Sequence, residues 1–126
     1  MAYDESLAAR IRALLIPRDG YDEKKMFGGI CFMLHGRMAC GIVRDRLIVR
    51  VGRQAYGEAL ARLHAEFFDL TGRPLTGWVQ VAPEGWTKDE DLTAWVERGV
   101  VYAMSLPPRE TGVRQRKTRK TRDPVR

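Results

Sequence analysis

Apolar residues recur along this chain in two rhythms, and each change of rhythm marks a new element. Leu7, Ile11, Leu14 and Leu15 lie at helical spacing behind Asp4, a residue suited to capping a helix start, and Pro17 with Gly20 ends the pattern. A polar loop is expected next. From Lys24 to Gly52 the sequence KKMFGGICFMLHGRMACGIVRDRLIVRVG reads as a three-stranded antiparallel meander. Its first turn is His35-Gly36, a two-residue loop that needs positive φ, and its second is the polar tip Arg44-Asp45. Gly28-Gly29 at the head of the first strand signals a bulge or a close backbone approach. Helical spacing returns between Arg53 and His64, where Tyr56, Ala59, Leu60 and Leu63 form a stripe. Phe67, Phe68 and Leu70 then predict a strand, Thr71-Gly72-Arg73-Pro74 a turn, and Thr76 to Val81 its hairpin partner. Thr87 and Glu90 have capping-box spacing before the longest helix. Its stripe of Leu92, Trp95, Val96, Gly99, Ala103 and Leu106 runs up to Pro107-Pro108, which cannot continue it.

The predicted order is α-β-β-β-α-β-β-α, a single small α+β domain in which a three-stranded meander plus a hairpin is packed by helices. The loop at His35-Gly36 sets Leu34 opposite Arg37, and counting back along both strands sets Cys31 opposite Cys40. Strand alternation then sorts the side chains. One face collects Cys31, Met33, Met38, Cys40, Ile42, Leu47, Val49 and Val51, and carries no charge, so it is expected to be the core face. The other collects Ile30, Phe32, Arg37, Ala39, Gly41, Val43, Arg46, Ile48 and Arg50.

Length and composition fit one globular domain: 126 residues, 44% hydrophobic and 30% charged, enough to bury a single core without metals or staples. Charge changes the picture more. The chain carries 22 Lys and Arg against 16 Asp and Glu. Of these, Arg109, Arg114, Arg116, Lys117, Arg119, Lys120, Arg122 and Arg126, with only Glu110 and Asp123 against them, all lie in residues 107–126. That segment holds the whole net charge of +6, and the rest of the chain is formally neutral with 14 basic and 14 acidic residues. The folded domain is therefore assigned to residues 1–106, and 107–126 is expected to be a basic, disordered tail. No apolar run reaches the roughly 18 residues that span a bilayer, and Met1 to Arg18 has acidic residues where a secretory leader has basic ones, so no membrane association and a cytoplasmic location are expected.

Candidate chemistry is sparse. Cys31 and Cys40, with Cβ atoms about 5 Å apart in the expected pairing, read either as a redox pair or as inert thiols whose ionisation burial suppresses. His35 at a loop tip and His64 at a helix end do not complete a zinc set with them. No G-x-S-x-G, phosphate-loop or triad pattern occurs. Glu90 and Asp91 fall in the first turn of a helix, where carboxylates complement the macrodipole. No catalytic residue, metal or cofactor is assigned, and an enzyme is not expected.

Binding is better provided for. Arg37, Arg46 and Arg50 beside Phe32 would suit single-stranded nucleic acid or a protein partner, and a solvated face or one covered by the second strand pair would look the same. Trp78 and Trp86 are interface candidates, with Phe32, or core residues. In the tail, Arg114, Arg116, Lys117, Arg119, Lys120 and Arg122 are candidates for DNA or RNA phosphate without sequence specificity, against the alternative of a solubilising terminus. A protein partner in the transcription machinery, non-specific nucleic acid at the tail, and a monomer or homodimer are the expectations for assembly.

Several runs together resemble the TfoX N-terminal domain family of TfoX/Sxy-type bacterial competence regulators. They are Lys25-Met26-Phe27-Gly28-Gly29, Phe32-Met33-Leu34, Met38-Ala39-Cys40-Gly41, Leu47 to Gly52, Thr71-Gly72-Arg73-Pro74, Gly77-Trp78-Val79 and Asp91 to Val96. In order, they cover roughly residues 4–108. The resemblance implies a small α+β domain with a curved antiparallel sheet packed by helices. It also implies a non-enzymatic role: such regulators promote competence-gene transcription alongside the cyclic-AMP receptor protein and carry a second, C-terminal helical domain. Here the basic tail is expected in that domain's place.

Overall fold

The computed structural model describes residues 3–26, 28–69 and 72–106. Asp4 caps the first helix, α1 (Glu5–Leu15), its carboxylate accepting the Leu7 amide at 3.0 Å, and Leu7, Ala8, Ile11 and Leu15 are buried on one side. Four consecutive strands follow: β1 (Tyr21–Met26), β2 (Gly29–Leu34), β3 (Arg37–Val43) and β4 (Arg46–Arg50). Next come helix α2 (Arg53–Leu60), strands β5 (Ala65–Asp69) and β6 (Pro74–Val81), a 3₁₀ turn (Pro83–Gly85) and helix α3 (Asp89–Ser105). Among the described residues the six strands make one antiparallel sheet in the order β1-β2-β3-β4-β6-β5. This is the small α+β domain that the sequence predicts, with one strand more.

The added strand is β1, expected as a polar loop. Asp22, Glu23, Lys24 and Lys25 hide it from a hydrophobic pattern, because an edge strand needs a ladder on one side only and tolerates charge. Side-chain bonds fasten it to α1. Arg12 forks onto the Glu23 carboxylate at 2.8 and 3.2 Å, and the Tyr21 hydroxyl donates to the same group. The Arg12 hydrogen bonds hold the Glu23 carboxyl below its ordinary pKa.

The meander pairs Leu34 with Arg37, as the His35-Gly36 loop requires, but the register does not continue to the cysteines. Met33 pairs with Met38 and Phe32 with Cys40, so Ala39 is an extra residue in β3, a bulge. Cys31 stands opposite Gly41. A one-residue slip reverses the facing of a strand. Ile30, Phe32 and Leu34 therefore join Ala39, Cys40, Ile42, Leu47, Val49, Val79 and Val81 in the helix-covered core, while Cys31, Met33 and Met38 lie on the opposite face.

The three helices share that core. α3 lies on β3 and β4, α2 on β6 and β5, and α1 adds its buried side. α2 ends at Leu60, short of the expected His64, and Leu63 is exposed while His64 takes φ 71 in the turn into β5. The capping box does not form either. Lys88 occupies the N-cap without a side-chain bond, and the Thr87 hydroxyl instead donates to the Pro83 carbonyl at 2.6 Å. Asp89, Glu90 and Asp91 fill the first turn of α3, where their charge complements the helix dipole.

Candidate interaction surface

Residues on the sheet face away from the helices form a second apolar layer. Cys31, Met33, Met38, Ile48 and Phe68 are buried there, with Val43, Leu75 and Trp78 packed at the margin. Phe68 and Trp78 stack with ring centroids 6.0 Å apart and planes at 29°. Trp78 is half-buried and pairs across the strands with Arg50, whose guanidinium lies 5.4 Å from its ring and 5.2 Å from that of Tyr102. Arg46 has its Nε 3.9 Å from carboxylate oxygens of Asp45 and Glu66. A face expected to carry arginines around an exposed aromatic is thus an apolar patch, with Arg46 and Arg50 at its border each engaged within the domain.

The bulge at Ala39 also redistributes the other candidates. Phe32, expected beside the arginines, is fully buried in the helix-covered core and presents no stacking surface. Arg37 pairs with Leu34, a residue of the helix-covered side, so alternation separates it from Arg46 and Arg50. Trp86 is a core residue. Its indole N–H donates to the Asp45 carbonyl at 3.0 Å, and the Arg10 guanidinium sits 5.9 Å over the ring. Arg114, Arg116, Lys117, Arg119, Lys120 and Arg122 lie outside the described residues.

Exposed apolar side chains occur elsewhere, at positions the sequence reading did not single out. Val101 is 67% and Met104 55% exposed on α3, off the buried stripe of Leu92, Trp95, Val96, Gly99, Val100 and Ala103. Apolar residues off the core face of a helical wheel are the signal that could have found them. Met104 borders a shallow cleft of about 400 Å³ with Pro17, Arg18, Leu34 and His35. A second groove, about 370 Å³, is lined by Arg62, His64, Lys88, Asp91, Trp95 and Arg98 among others. Charges of both signs meet there. Arg98 forks onto Glu58 at 2.8 and 3.0 Å and Arg62 adds a bond of 2.9 Å, which ties α2 to α3.

Neither cysteine is set up for chemistry. Burial pushes the Cys31 thiol up to about 11 and raises that of Cys40 further, so both are protonated at neutral pH. The sheet itself separates them, Cys40 facing the helices and Cys31 the other way. Among the described residues no three of His, Cys, Asp and Glu converge as metal ligands, and no helix is long and apolar enough to cross a membrane.

The family model described as TfoX N-terminal domain matches residues 13–103, from the last turn of α1 to the last turn of α3. No curated protein matches the chain.

Proposed function

We propose, since this chain belongs to the TfoX N-terminal domain family, that it is a non-enzymatic regulatory module whose folded domain docks a protein of the transcription machinery while its basic tail holds nucleic-acid phosphate. The observation that carries the reading is the segregation of charge: residues 107–126 hold the net +6 and the rest is neutral. A dense run of Lys and Arg binds phosphate by releasing condensed counterions, without reading sequence. The exposed Val101 and Met104 offer the domain an apolar contact for a partner. A general nucleic-acid binder that also uses the sheet receives less support, because Phe32 is buried and Arg46 and Arg50 are engaged within the domain.

The test is DNA affinity against salt for the full chain and for a variant with Arg114, Arg116, Lys117, Arg119, Lys120 and Arg122 changed to Gln. Six phosphate contacts give a logarithmic salt slope of about −5, which the variant should lose. Equal slopes in the two proteins remove the tail from the reading, and so does a wild-type chain that fails to bind at low salt. For the partner, a Val101→Lys, Met104→Lys variant should lose capture of transcription proteins that the wild type retains; equal capture removes that surface.

A further inference from the structure

The two edges of the sheet are built differently. β1 is blunted by exposed Asp22, Lys24 and Lys25, charges of the kind that keep an edge from pairing with another chain. β5, with the sequence AEFFD, carries exposed Glu66 and Asp69 on either side of its centre but no lysine or proline, and its central residue Phe67 is 56% exposed. The backbone is equally open. The Ala82 amide donates to the His64 carbonyl at 3.0 Å, so His64 and Glu66 turn their polar groups toward β6. Antiparallel alternation then turns the amide and carbonyl of Phe67 outward.

We infer that β5 is a homodimer edge, on which a second copy of this chain pairs antiparallel about a twofold axis at Phe67. The strand is self-complementary in that register. Phe67 meets its own counterpart, exchanging both backbone hydrogen bonds and setting two aromatic rings side by side. Glu66 meets Phe68 of the second copy and Asp69 meets Ala65, so no like charges stand opposite each other. A peptide of different sequence would gain the same backbone bonds without this centred aromatic pair. A five-residue edge is short beside the roughly 1,200 Å² of total area typical of stable complexes, so the dimer is a weak, concentration-dependent one. This partner is additional to the one proposed above.

Sedimentation equilibrium of the full chain, in salt high enough to screen the tail, should show the mass rising from 14.4 kDa toward twice that between about 10 μM and 1 mM. Phe67→Lys sets two like charges face to face and should stay monomeric, while Val101→Lys, on α3, should dimerise as the wild type does. Amide exchange at Phe67 in the wild type should slow severalfold across the same range. A monomer at every concentration overturns the inference, as does a folded Phe67→Lys variant that still dimerises or a Val101→Lys variant that does not. Doubling of mass with unchanged exchange at Phe67 overturns it too, whether or not the Lys variant folds.

Discussion

Gly99 of α3 rests on the carbonyl of Ala39, the bulge residue of β3: a Cβ at position 99 would stand 1.9 Å from that oxygen. Helix and sheet are therefore in backbone contact where the bulge pushes β3 toward α3. The sequence stripe of α3 places Gly99 on the buried side, and this contact is why a glycine stands there.

Two identical substitutions should consequently have opposite effects. Gly99→Ala improves helix propensity by up to about 1 kcal/mol, but it overpacks a backbone contact, and a net loss of about 1–3 kcal/mol is expected. Gly57→Ala in α2 meets nothing within 4 Å and should stabilise by about 0.5–1 kcal/mol. Urea denaturation of both variants checks this. A Gly99→Ala protein at least as stable as the wild type would mean that α3 can lift from β3 without cost.

The bulge also decides the fate of the cysteines. With Cys31 and Cys40 on opposite faces and burial raising both thiols, Cys31 to about 11 from 9.0, the thiolate fraction of Cys31 at neutral pH falls about a hundredfold. A thiol reagent should label neither residue in the native protein on the time scale of free cysteine, and both in urea. Mild oxidation should give no internal disulfide. Rapid native labelling of either thiol, with the fold intact by circular dichroism, would contradict this placement.

How far the sequence could be read follows from the range of the interactions involved. Asp4 and the His35-Gly36 loop act on their immediate neighbours, so the start of α1 and the pairing of Leu34 with Arg37 were legible. The bulge at Ala39 was not, because it faces Gly99, sixty positions away in the chain, and no local pattern announces it. That one slip moved Phe32 into the core, separated Arg37 from Arg46 and Arg50, and parted the cysteines. β1 stayed hidden for another reason: Arg12 and the Tyr21 hydroxyl both bond the Glu23 carboxylate, contacts that leave no hydrophobic alternation in the strand.

Acid should weaken the link between α2 and α3. The Arg98 guanidinium chiefly, with Arg62 adding to it, holds the Glu58 carboxyl down to about 2. A carboxyl depressed on folding stabilises the native state above its unfolded value, near 4.5, and loses that contribution as pH falls through about 2. Glu58→Gln should thus lower Tm at neutral pH, with the gap to the wild type closing through this window. Because the group is exposed, added salt should also shrink the gap. A difference independent of both pH and salt would assign the effect to packing rather than charge.

Gly52 and Tyr102 should behave as one energetic unit. At the head of α2, Gly52 holds φ 86, and a Cβ there would lie 2.5 Å from the Tyr102 ring. The amides of Val51 and Gly52 both donate to the Gly77 carbonyl, at 2.8 and 3.1 Å, so the backbone cannot rotate away without losing β4's tie to β6. Gly52→Ala therefore meets two penalties, about 1–3 kcal/mol for a backbone conformation, φ 86 and ψ 164, open essentially to glycine alone and about 1–3 kcal/mol for the steric conflict with the ring. Tyr102→Ala removes the ring, and with it one of the two aromatic faces under Arg50. Only the backbone penalty survives when both changes are combined. The double variant should be more stable than the sum of the single losses by about 1–3 kcal/mol, a coupling that a double-mutant cycle in urea measures directly. Additivity within about 0.3 kcal/mol would show that the ring moves aside freely, leaving backbone strain alone as the reason for glycine at position 52.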